Sequence, residues 1–182
     1  EPQRFRVETP PMGLELEGAF RPGFFEGVCT VVLKLFNMVR PAVAVFGEKD
    51  LQQLTLLRGM VRQFNLPITI VAAPTARADD GLALSSRNGY LTAAERDEAP
   101  ALSRALREAA ASLASGERDV ALVEAQATGT RARRGWKVDY VAVRNVRDLS
   151  LPHASSDSRE TLVVLGAATL GSTRLIDNVT LA

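Results

Sequence analysis

Ala42-Val43-Ala44-Val45-Phe46-Gly47-Glu48-Lys49-Asp50-Leu51-Gln52-Gln53-Leu54 passes from an apolar run, through four polar or flexible residues, into a mixed periodic stretch. Residues 42–46 read as a short buried strand, because both pleat faces would be apolar. Residues 51–64 put Leu54, Leu57, Val61 and Phe64 on one side of a helix, which Asn65 and Pro67 stop. Upstream, Phe25, Val28, Cys29, Val32, Leu35, Phe36 and Val39 repeat at helical spacing, in a stripe that ends before Pro41. Downstream, residues 68–73 read as the next strand. Helix, strand, helix, strand at this spacing is half of a doubly wound α/β sheet.

The composition shifts at Pro74, where we place a domain boundary: residues 1–74 on one side and 75–182 on the other. Residues 75–81 are polar and loop-like, and residues 85–89 form a second turn-rich stretch. A helical pattern then runs from Thr92 to about residue 115, with Thr92 as N-cap, Glu95 completing a capping box, and Pro100 breaking or kinking it. A third helix covers residues 120–134 and ends at Gly135. Residues 137–143 alternate, residues 162–170 are apolar, and residues 173–179 form a last short strand. These predict a small, mainly antiparallel sheet backed by two helices, an α+β domain.

The 182 residues are 46% hydrophobic and 24% charged, enough for one large or two small domains with a real core. A net charge of +1 predicts no broad attraction to nucleic acid or to an anionic membrane. Cys29 is the only cysteine, so no intramolecular disulfide forms and a reducing cytoplasmic compartment fits. No apolar run approaches the ~20 residues of a membrane-spanning helix. The first residues lack both the apolar core of a signal peptide and an initiator Met, so the chain is expected to start inside a longer gene product.

Gly47-Glu48-Lys49-Asp50 lies where a strand ends and a helix begins, the place where open α/β sheets bind ligands. Gly47 allows close backbone approach, the helix start offers N–H groups to an anion, Lys49 adds a cation, and Asp50 can accept from sugar hydroxyls. Taken alone, an ordinary turn with a capping Asp and a solvated Glu–Lys pair explains these four residues better. Gln53, one turn on, faces roughly as Asp50 does and could bond a substrate at the sheet edge, although a solvated Gln is the plainer reading. Leu84-Ser85-Ser86-Arg87-Asn88 offers two hydroxyls and a guanidinium to phosphate oxygens, yet is equally a surface turn. Walker-type and G-x-G-x-x-G phosphate loops are both absent from the sequence.

Arg21 could reach an anionic substrate, though an exposed role is commoner. His153, the only histidine, reads as a surface loop residue. With one Cys and one His far apart, there is no zinc-ligand spacing and no Cys–His pair, and no metal site is expected. The basic run Arg131-Ala132-Arg133-Arg134-Gly135-Trp136-Lys137 reads as a solvated helix end that complements the dipole.

Order and spacing say more than any single motif. Arg21-Pro22-Gly23, Gly27-Val28, Thr30-Val31-Val32, Lys34-Leu35-Phe36-Asn37, Phe46-Gly47-Glu48-Lys49-Asp50 and Gln52-Gln53-Leu54 resemble the pantothenate synthetase (pantoate–β-alanine ligase) family. So do Pro74-Thr75, Asp80-Gly81-Leu82-Ala83-Leu84-Ser85-Ser86-Arg87-Asn88, Tyr90-Leu91, Val138-Asp139-Tyr140-Val141 and Thr173-Arg174-Leu175-Ile176-Asp177-Asn178. The resemblance covers nearly all the chain from Leu14 onward.

It implies an incomplete Rossmann-like nucleotide-binding domain of the adenylyltransferase-like kind (residues 1–74), followed by a small α+β lid (residues 75–182). It implies condensation of pantoate with β-alanine through a pantoyl adenylate. ATP enters with Mg²⁺ as a substrate complex, with no tightly bound cofactor, and a homodimer is expected. By the same resemblance Gly47, Glu48, Lys49, Asp50, Ala76, Leu84, Ser85, Ser86 and Arg87 bind ATP. Gly47 and Asp50 lie near the ribose, Lys49 lies at the phosphates, and the backbone of Ala76 meets adenine. Gln53 holds pantoate, and Lys49 and Arg87 act catalytically.

Two departures stand out. The family's His-x-Gly-His motif, with its catalytic His and the first strand–helix units, does not occur in this sequence, and neither does an upstream Gln that helps hold pantoate. Phe24 stands where the family usually has His. A degenerate, non-catalytic nucleotide-binding module and a nucleotidyl transfer to a phosphorylated acceptor are the competing readings.

Overall fold

The computed structural model describes residues 1–132, 134–152 and 161–181. The chain divides into two compact units, Glu1–Pro74 and Thr75–Ala182.

In the first unit a 3₁₀ turn (Pro11–Leu14) and one helical turn, α1 (Glu17–Phe20), precede α2 (Phe24–Val39), β1 (Val43–Gly47), α3 (Leu51–Gln63) and β2 (Thr69–Ala73). The strands pair in parallel, from Val43 opposite Thr69 to Gly47 opposite Ala73. A right-handed crossover through a helix is how consecutive parallel strands are normally joined. Phe25, Cys29 and Phe36 of α2 pack with Leu56, Leu57, Met60 and Val61 of α3, and Ala44, Phe46 and Ile70 lean on this cluster.

Three expectations need correction here. β1 is not buried on both faces: Ala44 and Phe46 are half-buried, while Val43 and Val45 are 53% and 63% exposed, because α2 and α3 cover one face only. Leu35 and Val39 of the expected α2 stripe are exposed, as is Phe64, which falls just past the end of α3.

The second unit holds α4 (Ala93–Glu98), α5 (Ala101–Ala114), α6 (Val120–Ala132), β3 (Lys137–Asn145), β4 (Leu162–Leu170) and β5 (Thr173–Thr180). Thr92 and Glu95 form the expected reciprocal capping box. The chain then breaks at Ala99-Pro100, since Pro100 has no N–H to continue the ladder. The strands form an antiparallel sheet in the order β3-β4-β5, with β4 central. α5 lies on β4 and β5, and α6 on α5 and β3. Leu102, Leu106, Ala109 and Leu113 of α5 meet Val143, Val164 and Ala168 of the sheet in one core.

Gly166 makes that approach possible. A Cβ there would lie 2.9 Å from Leu106 Cδ2 and 3.4 Å from Leu102 Cδ1. The alternation expected in β3 fails at Asp139, where the register with β4 shifts between Val138 and Tyr140. An extra residue on one strand flips the side-chain order beyond it.

The basic run at the end of α6 is also corrected. Arg131 is only 5% exposed and donates from Nη1 to Ala101 O at 3.1 Å. Trp136 is buried and donates from Nε1 to Glu98 Oε1 at 3.1 Å, and Arg134 pairs with the same carboxylate. The run locks α6 to α4 and α5 rather than lying solvated. Arg133 and His153 fall outside the described residues.

Candidate functional site

The first group of candidate residues sits at the C-terminal end of β1. Gly47 has φ −73° and ψ 138°, ordinary extended backbone, and a Cβ added there would meet nothing within 4 Å. Neither backbone conformation nor internal packing calls for glycine at this position, and the surface above it is open.

Residues Glu48–Asp50 form a 3₁₀ turn that leads into α3. Asp50 is the N-cap residue of α3 but makes no side-chain capping bond. The carboxylate is therefore not committed to the helix, contrary to the plain-turn reading. Glu48 and Lys49 are half-buried, and Gln53 lies half-buried in the first turn of α3. The helix start adds unpaired N–H groups and positive partial charge beside Gly47. Gly47, Lys49, Asp50 and Gln53 thus share one strand-to-helix junction.

Gln52 escaped the reading of the sequence by itself. It is 3% exposed and sits on the same row of α3 as Leu56 and Met60. Its Nε2 donates to Met12 O (2.7 Å) and Glu15 O (2.9 Å), and its Oε1 accepts from Glu17 N (3.1 Å). One amide therefore holds the segment before α2 against α3. A glutamine in an otherwise apolar helix row was the available signal, since such a group needs partners. On the same segment, the Arg21 guanidinium carbon lies 3.4 Å from the centroid of the Phe24 ring. The Phe24 ring thus serves as a cation–π cushion for Arg21.

The second group lies in the second unit. Ala76 and Leu84 flank a tight hairpin. Leu84 N donates to Ala76 O (2.9 Å), Ala78 N to Leu82 O (2.9 Å), and Arg77 bridges Ala83 in antiparallel fashion. Gly81 turns the hairpin at φ +89°, a left-handed value that favours glycine. Asp80 braces the turn by accepting from Leu82 N (3.1 Å) and Arg96 Nη1 (2.5 Å). The Arg96 bond, helped by the Leu82 amide, holds the exposed Asp80 carboxyl below the usual carboxylate range.

Beyond the hairpin, Ser85 caps a 3₁₀ turn (Ser86–Tyr90) by accepting from Arg87 N at 3.2 Å. Asn88 Nδ2 donates back to Ala83 O at 3.1 Å. Ser86 is exposed and Arg87 half-buried, and the Arg87 guanidinium makes no ion pair among the described residues. Ala76, Leu84, Ser85, Ser86 and Arg87 are therefore brought together on one hairpin-and-turn element. The structure treats this element and the β1–α3 junction as parts of separate units.

No group of three or more His, Cys, Asp or Glu side chains able to hold a metal ion occurs among the described residues. No described helix is long and apolar enough to cross a membrane.

Comparison with known proteins follows the same lines. The family model described as pantoate-beta-alanine ligase matches residues 2–180. A curated pantothenate synthetase from Nitrosomonas europaea is 58% identical over 177 residues, which are 97% of this chain and 63% of that protein. A crystal structure of pantothenate synthetase from Thermus thermophilus superposes with a TM-score of 0.87 at 40% identity, covering 97% of this chain and 63% of that one. A pantoate-beta-alanine ligase from Francisella tularensis, complexed with beta-gamma ATP and beta-alanine, gives a TM-score of 0.75 at 31% identity, covering 97% and 58% of the two chains. The chain thus spans less than two thirds of the length of these relatives.

Proposed function

The chain belongs to the pantoate-beta-alanine ligase family, and on that premise we propose that it carries out the ATP-dependent condensation of pantoate with β-alanine. The observation that carries the reading is Gly47. It is a glycine that the fold itself does not require, at a strand end, beside an uncommitted Asp50 and a helix N-terminus. A ligand lying against the backbone supplies the missing reason. The relative from Francisella tularensis, solved with beta-gamma ATP and beta-alanine, agrees with that class of ligand.

In this reading residues 1–74 form part of the nucleotide and pantoate domain, and residues 75–182 form the lid. The backbone of Ala76 receives adenine, and Gly47 and Asp50 receive the ribose. Glu48 also contacts ATP. Gln53 orients pantoate so that its carboxylate oxygen attacks the α-phosphate of ATP. The bond from the α-phosphorus to the bridging oxygen breaks, and pyrophosphate leaves with its electron pair. Lys49 and Arg87 neutralise charge that grows on the α-phosphate and the leaving group, and the Ser85 and Ser86 hydroxyls, next to Leu84, donate to the phosphate oxygens. Mg²⁺ arrives with ATP as part of the substrate.

In the second step the neutral amine of β-alanine attacks the acyl carbon of pantoyl adenylate. AMP leaves with the acyl oxygen's electron pair, and the amine loses a proton. Holding the two reactants of each step in line supplies much of the rate. A homodimer and a cytoplasmic location belong to the same proposal.

The test uses the full-length gene product. Pantoate and MgATP without β-alanine should release one equivalent of pyrophosphate, and β-alanine should then release AMP and pantothenate. Binding of ATP without any pantoate-dependent pyrophosphate would instead favour a non-catalytic nucleotide-binding module, which the exchange of the usual imidazole for Phe24 makes the second reading.

A further inference from the structure

The hairpin that carries Ala76 and Leu84 is pinned from behind by one guanidinium. Arg77 Nη1 donates to Asp177 Oδ2 (2.7 Å), Gly81 O (3.0 Å) and Ser103 Oγ (3.2 Å). Its Nη2 donates to Asp177 Oδ1 (2.9 Å) and Asn178 O (3.4 Å). Asp177 on β5 is 5% exposed and Ser103 on α5 is 2% exposed. Asp177 Oδ1 also accepts from Asn178 N at 2.8 Å, so the carboxylate is held from both sides.

The paired fork geometry fixes direction as well as distance. Removing either partner leaves a charge in a site built for two. The Asp177 hydrogen bond raises the Arg77 pKa above its usual value, against the opposing effect of burial. β5 also touches the Ser86–Tyr90 turn. One strand thus backs both parts of the proposed nucleotide grip.

The two legs of the hairpin are not held equally. The Leu84 side continues into a turn with its own bonds, from Arg87 N to Ser85 Oγ and from Asn88 Nδ2 to Ala83 O. The Ala76 side has only the backbone pairing across the hairpin, from Leu84 N to Ala76 O and from Ala78 N to Leu82 O, and the Arg77 side chain. Loss of Arg77 therefore loosens the Ala76 leg first.

Resting on the ligase reading, we propose that Arg77, through its pairing with Asp177, is a positioning residue for the nucleotide: it sets the backbone of Ala76 where adenine docks without itself touching substrate. Adenine lies away from the bond that breaks and is held alike before and during reaction. A fault there raises KM for ATP and spares kcat.

The experiment measures steady-state kinetics on the full-length gene product and its variants Arg77→Met, Arg77→Lys, Asp177→Asn and the Met/Asn double variant. Arg174→Met serves as control, because it removes a comparably buried ion pair of the same sheet, Arg174 Nε to Asp139 Oδ2 at 2.7 Å, which lies off the hairpin. Arg77→Met is expected to raise KM for ATP about tenfold, with kcat and KM for β-alanine within about twofold. Arg77→Lys should restore part of the loss, and the double variant should be no worse than Arg77→Met alone. The control should leave KM for ATP unchanged.

A folded Arg77→Met with normal KM for ATP overturns the proposal. So does a fall in kcat at constant KM, or an equal rise in the control. Should Arg77→Met fail to fold, Arg77→Lys and Asp177→Asn decide by the same criterion, and unfolding of all of them reduces the pair to a structural pin and overturns the proposal. An unaltered protein that turns over no ATP with pantoate refutes the ligase reading instead, and with it this inference.

Discussion

Replacing Gly47 by alanine separates what the fold needs from what a ligand needs. The backbone at Gly47 is ordinary for any residue, at φ −73° and ψ 138°. Beyond its two chain neighbours, a methyl group there meets no described atom within 4 Å. Alanine also restricts the unfolded chain, so stability should rise by about 0.4–1 kcal/mol. That corresponds to an increase in Tm of about 1–4 °C for a protein of this size.

A nucleotide resting on the glycine backbone experiences the same methyl differently. It must move by roughly the thickness of a methyl group, and a displacement near 1 Å can cost about 100-fold in a well-aligned reaction. KM for ATP should therefore rise about 10–100-fold while the protein stays folded. The assay pairs thermal unfolding with pyrophosphate release over a range of ATP concentrations. An alanine variant that is stable and keeps its ATP KM within about twofold refutes the argument from open space at Gly47.

Other outcomes follow from buried contacts. Gln52→Leu leaves the Glu17 amide and the carbonyls of Met12 and Glu15 without their partner, at about 1–3 kcal/mol per stranded group; urea unfolding should register a loss of about 3 kcal/mol, and the Glu17 amide should exchange faster with solvent. Gly166→Ala puts a Cβ 2.9 Å from Leu106 Cδ2, and this overpacking should cost about 1–3 kcal/mol in the same assay. For Glu98, burial pushes the carboxyl pKa up, but the bonds from Arg134 and Trp136 outweigh it and hold the pKa below the usual 4.5. A depressed folded pKa gives stability that is present above pH 4.5 and is lost as pH falls through the folded value. Glu98→Gln should therefore flatten the acid limb of the stability–pH curve, and an unchanged limb would show that the pair contributes nothing there.

The alternation of helix and strand in residues 24–73 was legible because each element carries its own period and its own stop. Thr92, Glu95 and Pro100 likewise announced a helix start and a break from local chemistry alone. Burial of β1 was misread, because an apolar run says that both faces suit a core but not that both are covered. The run from Arg131 to Lys137 was misread for the opposite reason: its charge suggested solvent, while the partner carboxylate, Glu98, lies on another helix.

Around the candidate site, the order and spacing of the motifs made the family legible. Gln52 and Arg77 were not, since the partners of Gln52 lie 35 to 40 residues away and the carboxylate that pairs with Arg77 lies 100 residues away. Long-range polar pairing leaves no periodic trace in a sequence. It shows only as a polar side chain in a row that ought to be apolar.

The most direct test of the central claim follows one oxygen atom. Pantoate labelled with ¹⁸O in its carboxylate is supplied to the full-length gene product with MgATP and β-alanine, and the AMP formed is examined by mass spectrometry. Attack of the carboxylate on the α-phosphate leaves one labelled oxygen on AMP, and that is the expected result. Unlabelled AMP, or ADP and labelled inorganic phosphate in its place, would contradict a pantoyl adenylate and the assignment of Lys49 and Arg87 to the α-phosphate.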